Sequence, residues 1–522
     1  MTEPWWKTAV VYQIYPRSFR DTTGDGVGDL RGIIDGLDHL VWLGVDALWL
    51  SPVFPSPMVD HGYDVSDYCD IDPVFGSLAD MDELIDQAHQ RGLKVLLDWV
   101  PNHTSDQHPW FLASRSSRDD PKRGWYVWRD GSPDELPNDW ERAFPPGEPA
   151  WSWDEATQAW VLHLFAPEQP DLNWDHPEVG PAMLDTLRFW LDRGIDGFRM
   201  DVIHLIGKGA DLPELTPDET KAPTAMIDVP KTHEHLRAIR AVLDSYPGDR
   251  TSVGEVFLLD PAKVAKYYGD DDELHLSFNF TPMFSRWRAA SWARNIRTAS
   301  DVLDDAGHWA TWVLSNHDNP RHRTRYGGDE RLARAAAVLL LTLRGTPFLY
   351  AGEELGLEDA VVPPERQVDP SGGRRDGCRA PIPWTADPAH GWATADSWLP
   401  FPPEADVRNA AALRDDPGSI LHLYRDLLAL RRRTPALQLG SIEVLESPDD
   451  VLVYERRDGE EVRVIAISFR DMPSEVPLGE MTLELSSDAG RRVGDELWDA
   501  LHPYEAVLLS QRSTDRGGAG HG

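Results

Sequence analysis

Cysteine is nearly absent from this chain of 522 residues, where it occurs only as Cys69 and Cys378. Two thiols are too few for a disulfide framework or a cysteine-rich metal site, and free thiols are typical of a reducing compartment. The N-terminal residues also lack a basic segment followed by an apolar one, so the sequence predicts no secretory signal. We therefore expect a cytoplasmic protein.

Basic residues are scarce relative to acidic ones. Lys and Arg total 51 whereas Asp and Glu total 88, which gives a formal net charge of −37. A surface of this sign repels phosphate backbones and anionic lipids, so we expect neither nucleic acid nor membrane as a partner. Long apolar runs are missing as well, since the longest, around residues 335–343, is far too short to span a bilayer. The composition leaves the oligomeric state open.

Short β-type runs alternate with helical segments over most of the chain. The runs lie at residues 9–15, 45–50, 94–100, 195–201, 251–256, 274–278, 312–314 and 347–350. Between them, the segment 77–91 has helical apolar spacing, with Ser77 at the N-cap position and Gly92 just after the end. Eight β-type runs in this rhythm predict a (β/α)8 barrel, an α/β fold of the TIM-barrel class.

Two interruptions of the rhythm predict further domains. A stretch rich in Trp, Pro, Asp and Gly follows the third run, and alternating apolar residues near the C-terminus indicate antiparallel strands. A long irregular stretch, 353–402, follows the eighth run, and we expect it to border the active site. We predict a barrel of residues 1–102 and 175–435, an inserted domain of 103–174, a C-terminal antiparallel β domain of 436–511 and a disordered tail of 512–522.

Polar residues stand at the ends of several β-type runs. Arg199 and Asp201 lie two residues apart, so in a strand both side chains point to the same face. A structural ion pair would explain these two alone. Catalytic groups of a (β/α)8 barrel come from the C-terminal ends of several strands, so convergence of four polar ends on one rim favours an active site. The other polar end residues are Asp98, Asn102, His103, Glu255, His317 and Asp318.

Three carboxylates at one rim, without cysteine ligands or a Ser–His pair, suit bond cleavage through an oxocarbenium-like state. This pattern predicts glycoside hydrolysis. The reaction needs one ionised carboxylate and one protonated carboxyl, with Arg or His groups that separate the two pKa values. The aromatic segments 125–128 and 151–153 hint at a carbohydrate cleft, because aromatic rings stack on sugar faces.

Four sequence motifs carry these polar ends: DWVPNH at 98–103, GFRMD at 197–201, GE at 254–255 and NHD at 316–318. Together with QPDLN at 169–173, they resemble, in the same order, the conserved regions of the α-amylase superfamily, glycoside hydrolase family 13. The resemblance extends from about Trp5 to the terminal β domain. It implies a role for each matching residue.

By this resemblance, Asp201 would be the nucleophile, Glu255 the general acid and base, and Asp318 a carboxylate that stabilises the distorted sugar. Arg199 would orient Asp201 and keep it ionised. Asp98 would support these groups from beneath.

The same resemblance implies a sugar-binding set around the triad. His103 and His317 would donate hydrogen bonds to sugar hydroxyls, and Asp60 and Tyr63 would line the same subsite. Histidines that are satisfied polar residues near the rim are the structural alternative.

The segments 169–173 and 374–384 are similar to exo-acting α-glucosidases and oligo-1,6-glucosidases rather than to endo-amylases. In those relatives an arginine that matches Arg375 pairs with the carboxylate that matches Asp60 and closes the pocket around a terminal glucose. Where typical relatives have TPMQW, this chain has APIPW. The resemblance therefore implies a retaining exo-acting α-glucosidase that releases α-glucose from the non-reducing end of short oligosaccharides of the maltose or isomaltose type.

Two other functions remain open at this point. An α-glucosyl transferase or isomerase, such as a trehalose synthase, would use the same triad, whereas a non-catalytic sugar-binding relative would lack triad members. Val202 follows the nucleophile, and in similar family members Val at this position accompanies α-1,6 cleavage while Ala or Thr accompanies α-1,4 cleavage. We predict that Val202 influences linkage, with a slight preference for α-1,6 bonds.

The loop of residues 21–29 has oxygen-bearing residues at alternate positions. It resembles the first half of an EF-hand, but position twelve is Gly32 instead of Glu, so it is not an EF-hand. Similar loops in oligo-1,6-glucosidases hold a structural calcium, commonly with Asn where Thr23 stands here, and a plain Asp/Gly turn is the alternative. No organic cofactor is expected. The implied calcium ligands are Asp21, Thr23, Asp25, the Val27 carbonyl and Asp29.

Overall fold

The computed structural model describes residues 3–143, 147–208, 212, 228–476, 481–494 and 500–511. In chain order the strands are β1 Val11–Ile14, β2 Ala47–Leu50, β3 Lys94–Trp99, β4 Trp128–Arg129, β5 Trp151–Asp154, β6 Ala159–Leu162, β7 Gly197–Met200, β8 Thr251–Gly254, β9 Leu276–Ser277, β10 Thr311–Val313, β11 Thr346–Tyr350, β12 Ser441–Val444, β13 Val451–Asp458, β14 Glu461–Ser468, β15 Ser474–Glu475, β16 Met481–Ser486, β17 Ala500–Leu501 and β18 Ala506–Gln511. The α-helices are α1 Trp5–Thr8, α2 Pro16–Phe19, α3 Leu30–Leu43, α4 Leu78–Gln90, α5 Pro109–Ser116, α6 Val179–Asp192, α7 Pro230–Asp244, α8 Pro261–Ala265, α9 Ala289–Ala299, α10 His322–Arg325, α11 Glu330–Thr342, α12 Ala410–Asp415, α13 Ile420–Arg433 and α14 Pro435–Gln438.

Parallel strands joined by helices form the barrel. In the described residues this sheet has eight strands in the order β10-β11-β1-β2-β3-β7-β8-β9, and every neighbouring pair is parallel. The end strands β9 and β10 are joined by a side chain, because the Thr311 hydroxyl donates to the Ser277 carbonyl at 2.7 Å and accepts from the Asn279 N–H at 3.1 Å. The predicted (β/α)8 barrel is confirmed, and each predicted run overlaps one strand with ends that differ by at most two residues.

The barrel strands are buried on both faces. Val11, Trp49, Leu96, Val253 and Phe348 pack together in one cluster, while their neighbours in the strands pack in the main core with the helices. Successive side chains of a strand point to opposite faces, so this division follows from the alternation itself. The polar residues that follow these strands therefore emerge at one rim.

Helix α4 begins directly after Ser77, the N-cap residue that the sequence predicted. The Ser77 hydroxyl accepts from the Asp80 N–H at 3.3 Å, and the Asp80 carboxylate accepts from the Ser77 N–H at 2.9 Å. This reciprocal pair is a capping box and satisfies two N–H groups that a helix start leaves free. The chain turns at Gly92, whose φ of +79° favours glycine.

An antiparallel sheet of β4, β6 and β5 stands between barrel strands β3 and β7, inside the range predicted for the inserted domain. Trp140, Trp151 and Trp160 pack in its hydrophobic cluster together with Leu205, which follows β7, and Val202 packs against that cluster. The tryptophans of this region thus build a core that presses on the end of β7.

The C-terminal domain is an antiparallel sheet in the order β12-β13-β14-β18-β16, beside a β15-β17 pair. Two buried arginines join it to the barrel, as Arg431 of α13 donates to the Leu437 carbonyl at 2.9 Å and Arg456 of β13 donates to the Thr342 carbonyl at 2.6 Å. The tail 512–522 that the sequence predicts to be disordered lies outside the described residues, and the exact domain boundaries stay predictions. In the part of the chain that the structure describes, no helix is long and apolar enough to cross a membrane.

Candidate active site

A cavity of about 610 Å³ opens at the rim where the barrel strands end. Its walls come from the strand ends, from the inserted region and from the stretch after β11, which was expected to border the site. Predicted site residues that line the cavity are Asp60, Tyr63, His103, Asp201, Val202, Glu255, Asp318 and Arg375. Arg199 and His317 are 2% and 0% exposed and lie behind these residues.

Arg199 joins three carboxylates at the rim. One terminal nitrogen, Nη1, donates to Asp98 Oδ1 and to Asp201 Oδ1, each at 2.7 Å, and Nη2 donates to Glu255 Oε2 at 2.6 Å. Strands β3, β7 and β8 are neighbours in the sheet, and Asp98 pairs with Arg199 in the register. Sheet order therefore places the nucleophile and the acid/base candidates on one guanidinium.

The charges in this cluster do not balance, because one cation faces three carboxylates. Burial raises the pKa of Asp98 to about 6, although Arg199 lowers it. Burial also raises the pKa of Asp201 well above its usual value, with Arg199 opposing and the charge of Glu255 adding to the rise. Burial opposes the charge on Arg199, but the carboxylates raise its pKa well above the usual value. The cluster therefore retains a proton more readily than separate carboxylates do, which suits acid/base chemistry.

Val202 has a φ of +35°, a left-handed conformation that is rare and strained for a β-branched residue. This turn directs the Val202 N–H to Glu255 Oε2, where it donates at 3.1 Å. The Val202 N–H is thus a second donor, besides Arg199, that holds the Glu255 carboxyl beside Asp201.

Arg375 joins the carboxylates of the opposite wall. Its Nη2 donates to Asp60 Oδ1 at 2.6 Å, its Nη1 donates to Asp318 Oδ1 at 3.3 Å, and its Nε donates to Asp369 Oδ1 at 2.9 Å. The structure thus contains the Arg375–Asp60 pair that the resemblance implied. Asp369, which no motif indicated, fixes the guanidinium from behind.

Asp318 receives a second guanidinium, since Arg379 Nη2 donates to its Oδ1 at 2.9 Å. Burial opposes the ionised form of Asp318, but His317, Arg375 and Arg379 lower its pKa well below the usual range. Asp318 is therefore a fixed negative charge, in contrast to the proton-retaining cluster around Arg199.

His317 lies under the cavity floor rather than in its wall. Its ring stacks on Tyr63 with centroids 5.5 Å apart, and its nitrogens lie 2.7 Å from Gln13 Nε2 and 2.5 Å from Tyr63 Oη. The Tyr63 hydroxyl also donates to Asp98 at 3.1 Å. Its Nε2 also lies 3.3 Å from Asp318 Oδ2, so any effect of His317 on a sugar passes through Tyr63 or Asp318. Burial lowers the pKa of His317 to about 3, so the ring stays neutral.

His103 lines the cavity directly. Its Nε2 lies 3.1 Å from the Tyr63 carbonyl and 3.2 Å from Gln169 Nε2, and its Nδ1 lies 3.1 Å from Asn102 Nδ2. Burial lowers the pKa of His103 to about 4. The ring is therefore a neutral hydrogen-bonding group at the cavity wall.

The strand-end motifs and this geometry agree with one known family, because a sequence model of the α-amylase catalytic domain matches residues 13–440 of the chain. The chain belongs to the α-amylase family. It is a glycoside hydrolase by this match and by its named relatives.

Relatives of this α-amylase-family chain carry glucosidase names. A probable α-glucosidase of Rhizobium meliloti (strain 1021) is 42% identical over 493 residues, which cover 88% of this chain and 88% of the relative. An oligo-1,6-glucosidase of Parageobacillus thermoglucosidasius is 37% identical over 519 residues, which cover 90% of this chain and 91% of the relative. Among solved structures, the α-glucosyl transfer enzyme XgtA is 39% identical with a TM-score of 0.89, covering 98% of this chain and 100% of that chain.

The apolar part of the cavity was not predicted from the sequence. Phe165, Phe257 and Leu259 line it, and Phe257 and Leu259 are 49% and 57% exposed. The run of four apolar residues directly after Glu255, at 256–259, was the available signal. Among the described residues no tryptophan lines this cavity, so the aromatic segments 125–128 and 151–153 contribute no tryptophan to its walls.

Lys208 was also missed, although it binds two α-amylase motifs together. It is 5% exposed, and its Nζ donates to Asn102 Oδ1 at 2.6 Å and forms an ion pair with Asp171 at 2.9 Å. Asn102 follows β3, whereas Asp171 belongs to the QPDLN segment at the end of the insertion. The ammonium group thus anchors the inserted region to the barrel rim.

The proposed calcium loop has its carboxylates engaged by its own backbone. Asp21 accepts from the N–H groups of Thr23 and Gly24, each at 2.8 Å, and Asp29 accepts from Gly32 at 2.7 Å as the N-cap of α3. These bonds account for the shape of the loop as an Asp/Gly turn, while the oxygen donor set is of the type that calcium prefers. Calcium binding stays a prediction.

Proposed function

We propose that this protein is a retaining, exo-acting α-glucosidase that releases α-glucose from the non-reducing end of short α-glucosides. The observation that supports it most is the Arg199 cluster, which holds two carboxyl groups of opposite task on one guanidinium at the floor of a sugar-sized cavity. The Arg375–Asp60 pair at 2.6 Å supports an exo mode, because it occupies cavity wall that an endo-acting cleft would leave open.

In the first step of the proposed reaction, Glu255 donates a proton to the glycosidic oxygen while Asp201 attacks the anomeric carbon. The bond between that carbon and the oxygen breaks, its electron pair goes to the leaving oxygen, and a glucosyl ester forms on Asp201. Arg199 keeps Asp201 in line for attack and offsets the charge on Glu255 after its proton has left.

In the second step, Glu255 removes a proton from a water molecule that attacks the anomeric carbon, and the ester bond to Asp201 breaks. Two inversions give net retention, so the product is α-glucose. Asp318, held ionised by Arg375 and Arg379, stabilises the positive charge that develops on the ring in both steps.

A second candidate is glucosyl transfer, and the similarity to XgtA favours it. Transfer uses the same ester on Asp201, but a sugar hydroxyl instead of water accepts the glucosyl group. Isomerisation would return the glucosyl group to the released sugar at another hydroxyl. The apolar mouth at Phe257 and Leu259 supports these reactions, because it would disfavour water relative to a second sugar.

For linkage we propose a slight preference for α-1,6 bonds with some maltose hydrolysis. Val202 places a β-branched side chain beside Asp201 in the cavity wall, and the similarity to an oligo-1,6-glucosidase is in the same direction. We further propose a cytoplasmic location and a structural calcium ion that takes no part in the reaction.

The test is product analysis with maltose, isomaltose and sucrose. We expect glucose from maltose and isomaltose, and proton NMR of early product should show the α-anomer. Early β-glucose would refute the two-step assignment. If trehalose were the main product, the activity would be isomerisation instead of hydrolysis. If oligosaccharides longer than the substrate were the main product, it would be transfer.

A further inference from the structure

A second cavity lies beside the catalytic one, with a volume of about 530 Å³. It is formed where the segment after β9 and the helices α10 and α11 meet the C-terminal domain. We name it the aromatic groove, and define it by Phe284, Arg286, Trp287, Tyr326, Phe469 and Tyr504.

Three rings of the groove, those of Tyr326, Trp287 and Phe469, are connected through Trp287. The Trp287 ring lies 4.7 Å from Phe469 and 5.1 Å from Tyr326 between centroids, and Phe284 is 50% exposed. Trp287, Tyr326 and Phe469 are partly buried against the main core, so Phe284 supplies the exposed ring of this concave surface. An exposed ring in a concave surface suits a ligand-binding site. Such rings suit a ligand with apolar faces.

Arg286 adds hydrogen-bond donors to the groove. It is exposed and forms no hydrogen bond or ion pair with the residues that the structure describes. A guanidinium offers five N–H donors to acceptors such as hydroxyl oxygens. Aromatic faces beside free donors match the two sides of a sugar ring, which has apolar C–H faces and a hydroxyl edge.

One ring contact links the groove to the catalytic cavity. The Phe284 ring lies 6.1 Å from the ring of Phe257, and Phe257 lines the catalytic cavity. The inference rests on the proposed function, in which a terminal glucose binds at Asp201 and Glu255. The remaining sugar units of a longer substrate would then extend past Phe257 toward Phe284.

We propose that the aromatic groove binds the distal units of longer α-gluco-oligosaccharides whose terminal glucose occupies the catalytic cavity. The substrate class then includes oligosaccharides of several units as well as disaccharides. Phe284 and Arg286 select for chain length and do not touch the reacting atoms.

The kinetic test uses Phe284→Ala and Arg286→Ala with malto- and isomalto-oligosaccharides of two to six units. For the wild type we expect kcat/KM to rise with length. The variants should lose about 3- to 10-fold on the hexasaccharide, as expected for one stacking contact, and keep disaccharide activity. Leu112→Ala is the matched control, since Leu112 is a large apolar residue of α5 that is 51% exposed and lies outside both cavities.

A binding test separates this inference from the proposed function. The same substitutions are made in the Glu255→Gln protein, and calorimetry measures its affinity for the hexasaccharide and the disaccharide. A wild type that hydrolyses no disaccharide refutes the proposed function, while the calorimetry still decides the groove. The groove proposal is overturned if both variants bind the hexasaccharide as tightly as the parent, or if each loses equally on both ligands.

Discussion

Two buried arginines at opposite ends of the barrel have different kinds of hydrogen-bond partner. Arg199 is 2% exposed and contacts three carboxylates, whereas Arg456 is 0% exposed and its partners are backbone carbonyl oxygens. Burial lowers the pKa of Arg456 well below its usual value and the charge of Arg431 adds to the effect, while carboxylates raise the pKa of Arg199. The same side chain thus serves chemistry at one end and structure at the other.

The difference lies in which groups surround each cation. At the rim, carboxylates outnumber the guanidinium, so negative charge and a proton are left for a reaction. At the junction, Arg456 donates to carbonyls of Thr342 and Leu437, at the C-terminal ends of α11 and α14, which the helices themselves leave unpaired. The carbonyl groups carry no titratable proton, and the gain is a fixed contact between two domains.

The largest effect should come from the rim. Asp201→Asn is expected to lower kcat roughly 10⁴-fold or more, because the amide cannot form the ester, while the melting temperature stays close to that of the wild type. Steady-state kinetics and thermal unfolding give the two readouts. Asp426→Asn, on the surface of α13, is the control. Near-normal turnover of Asp201→Asn would remove it from the nucleophile role.

Arg456→Met should show the reverse pattern. The substitution leaves buried carbonyls without donors, so we expect the free energy of unfolding to fall on the order of 3 kcal/mol while kcat/KM of the folded enzyme is unchanged. Denaturant unfolding measures the loss. Arg457→Met is the matched control, because the neighbouring arginine is 48% exposed and pairs with Glu455 at the surface. Equal losses of unfolding free energy in both variants would show that Arg456 stabilises the fold no more than an exposed arginine does.

Glu353 tests how burial affects a carboxyl group, as Arg456 tests how it affects a cation. Burial raises its pKa from 4.5 to about 8. The native state therefore binds a proton that the unfolded state releases between pH 4.5 and 8, so stability is present below this window and is lost as pH rises, by about 1.4 kcal/mol per pH unit. Glu353→Gln should flatten this decline.

Melting temperatures at pH 5 and pH 8 measure that slope, with exposed Glu365→Gln as the control. Parallel curves for wild type and Glu353→Gln would mean that Glu353 titrates alike in the folded and unfolded states.

Val202 sharpens the comparison within the rim itself. Val202→Thr should shift the ratio of kcat/KM toward maltose and away from isomaltose by at most roughly 10- to 200-fold, the range for one methyl-scale contact. Both substrates are measured with wild type and variant. An unchanged ratio would show that Val202 does not set linkage and that its strained backbone serves Glu255 alone.

The smallest effect is expected at the loop of residues 21–29, a third charged site in which carboxylates meet backbone N–H groups. Calcium that binds only the native state at ten times its Kd adds about 1.4 kcal/mol of stability. Thr23→Asn should enlarge the rise in melting temperature because an amide oxygen is the stronger ligand. A melting temperature indifferent to chelator and to millimolar calcium would sink the idea.

The barrel was predictable because its signals are local. Alternating apolar residues specify each strand, and Ser77 with Asp80 marks the start of α4 within a few residues. Asp201 and Glu255 were predicted as catalytic residues for the same reason, since each stands in a short motif at a strand end.

Other parts of the site depend on partners that are far apart in the chain. His317 was expected to face the sugar, but Gln13, 304 residues away, and Tyr63 engage its ring beneath the floor. Lys208 and Asp369 were missed because neither belongs to a motif. Their hydrogen bonds, to Asn102 and Arg375 respectively, form only when the fold brings these residues together. Strand order can be read from a pattern, whereas such contacts need coordinates.

The side-chain link between β9 and β10 gives the barrel wall a seam. There the hydrogen bonds of the Thr311 hydroxyl replace the backbone ladder found between the other strands, so we expect the barrel to expand most easily along this line. Strand β8, which delivers Glu255, is one strand from the seam, whereas β7, which delivers Asp201, is one strand further in. Glu255, the proposed proton donor, therefore stands nearer the seam than Asp201, the proposed nucleophile, and we expect its carboxyl group to have more freedom to move.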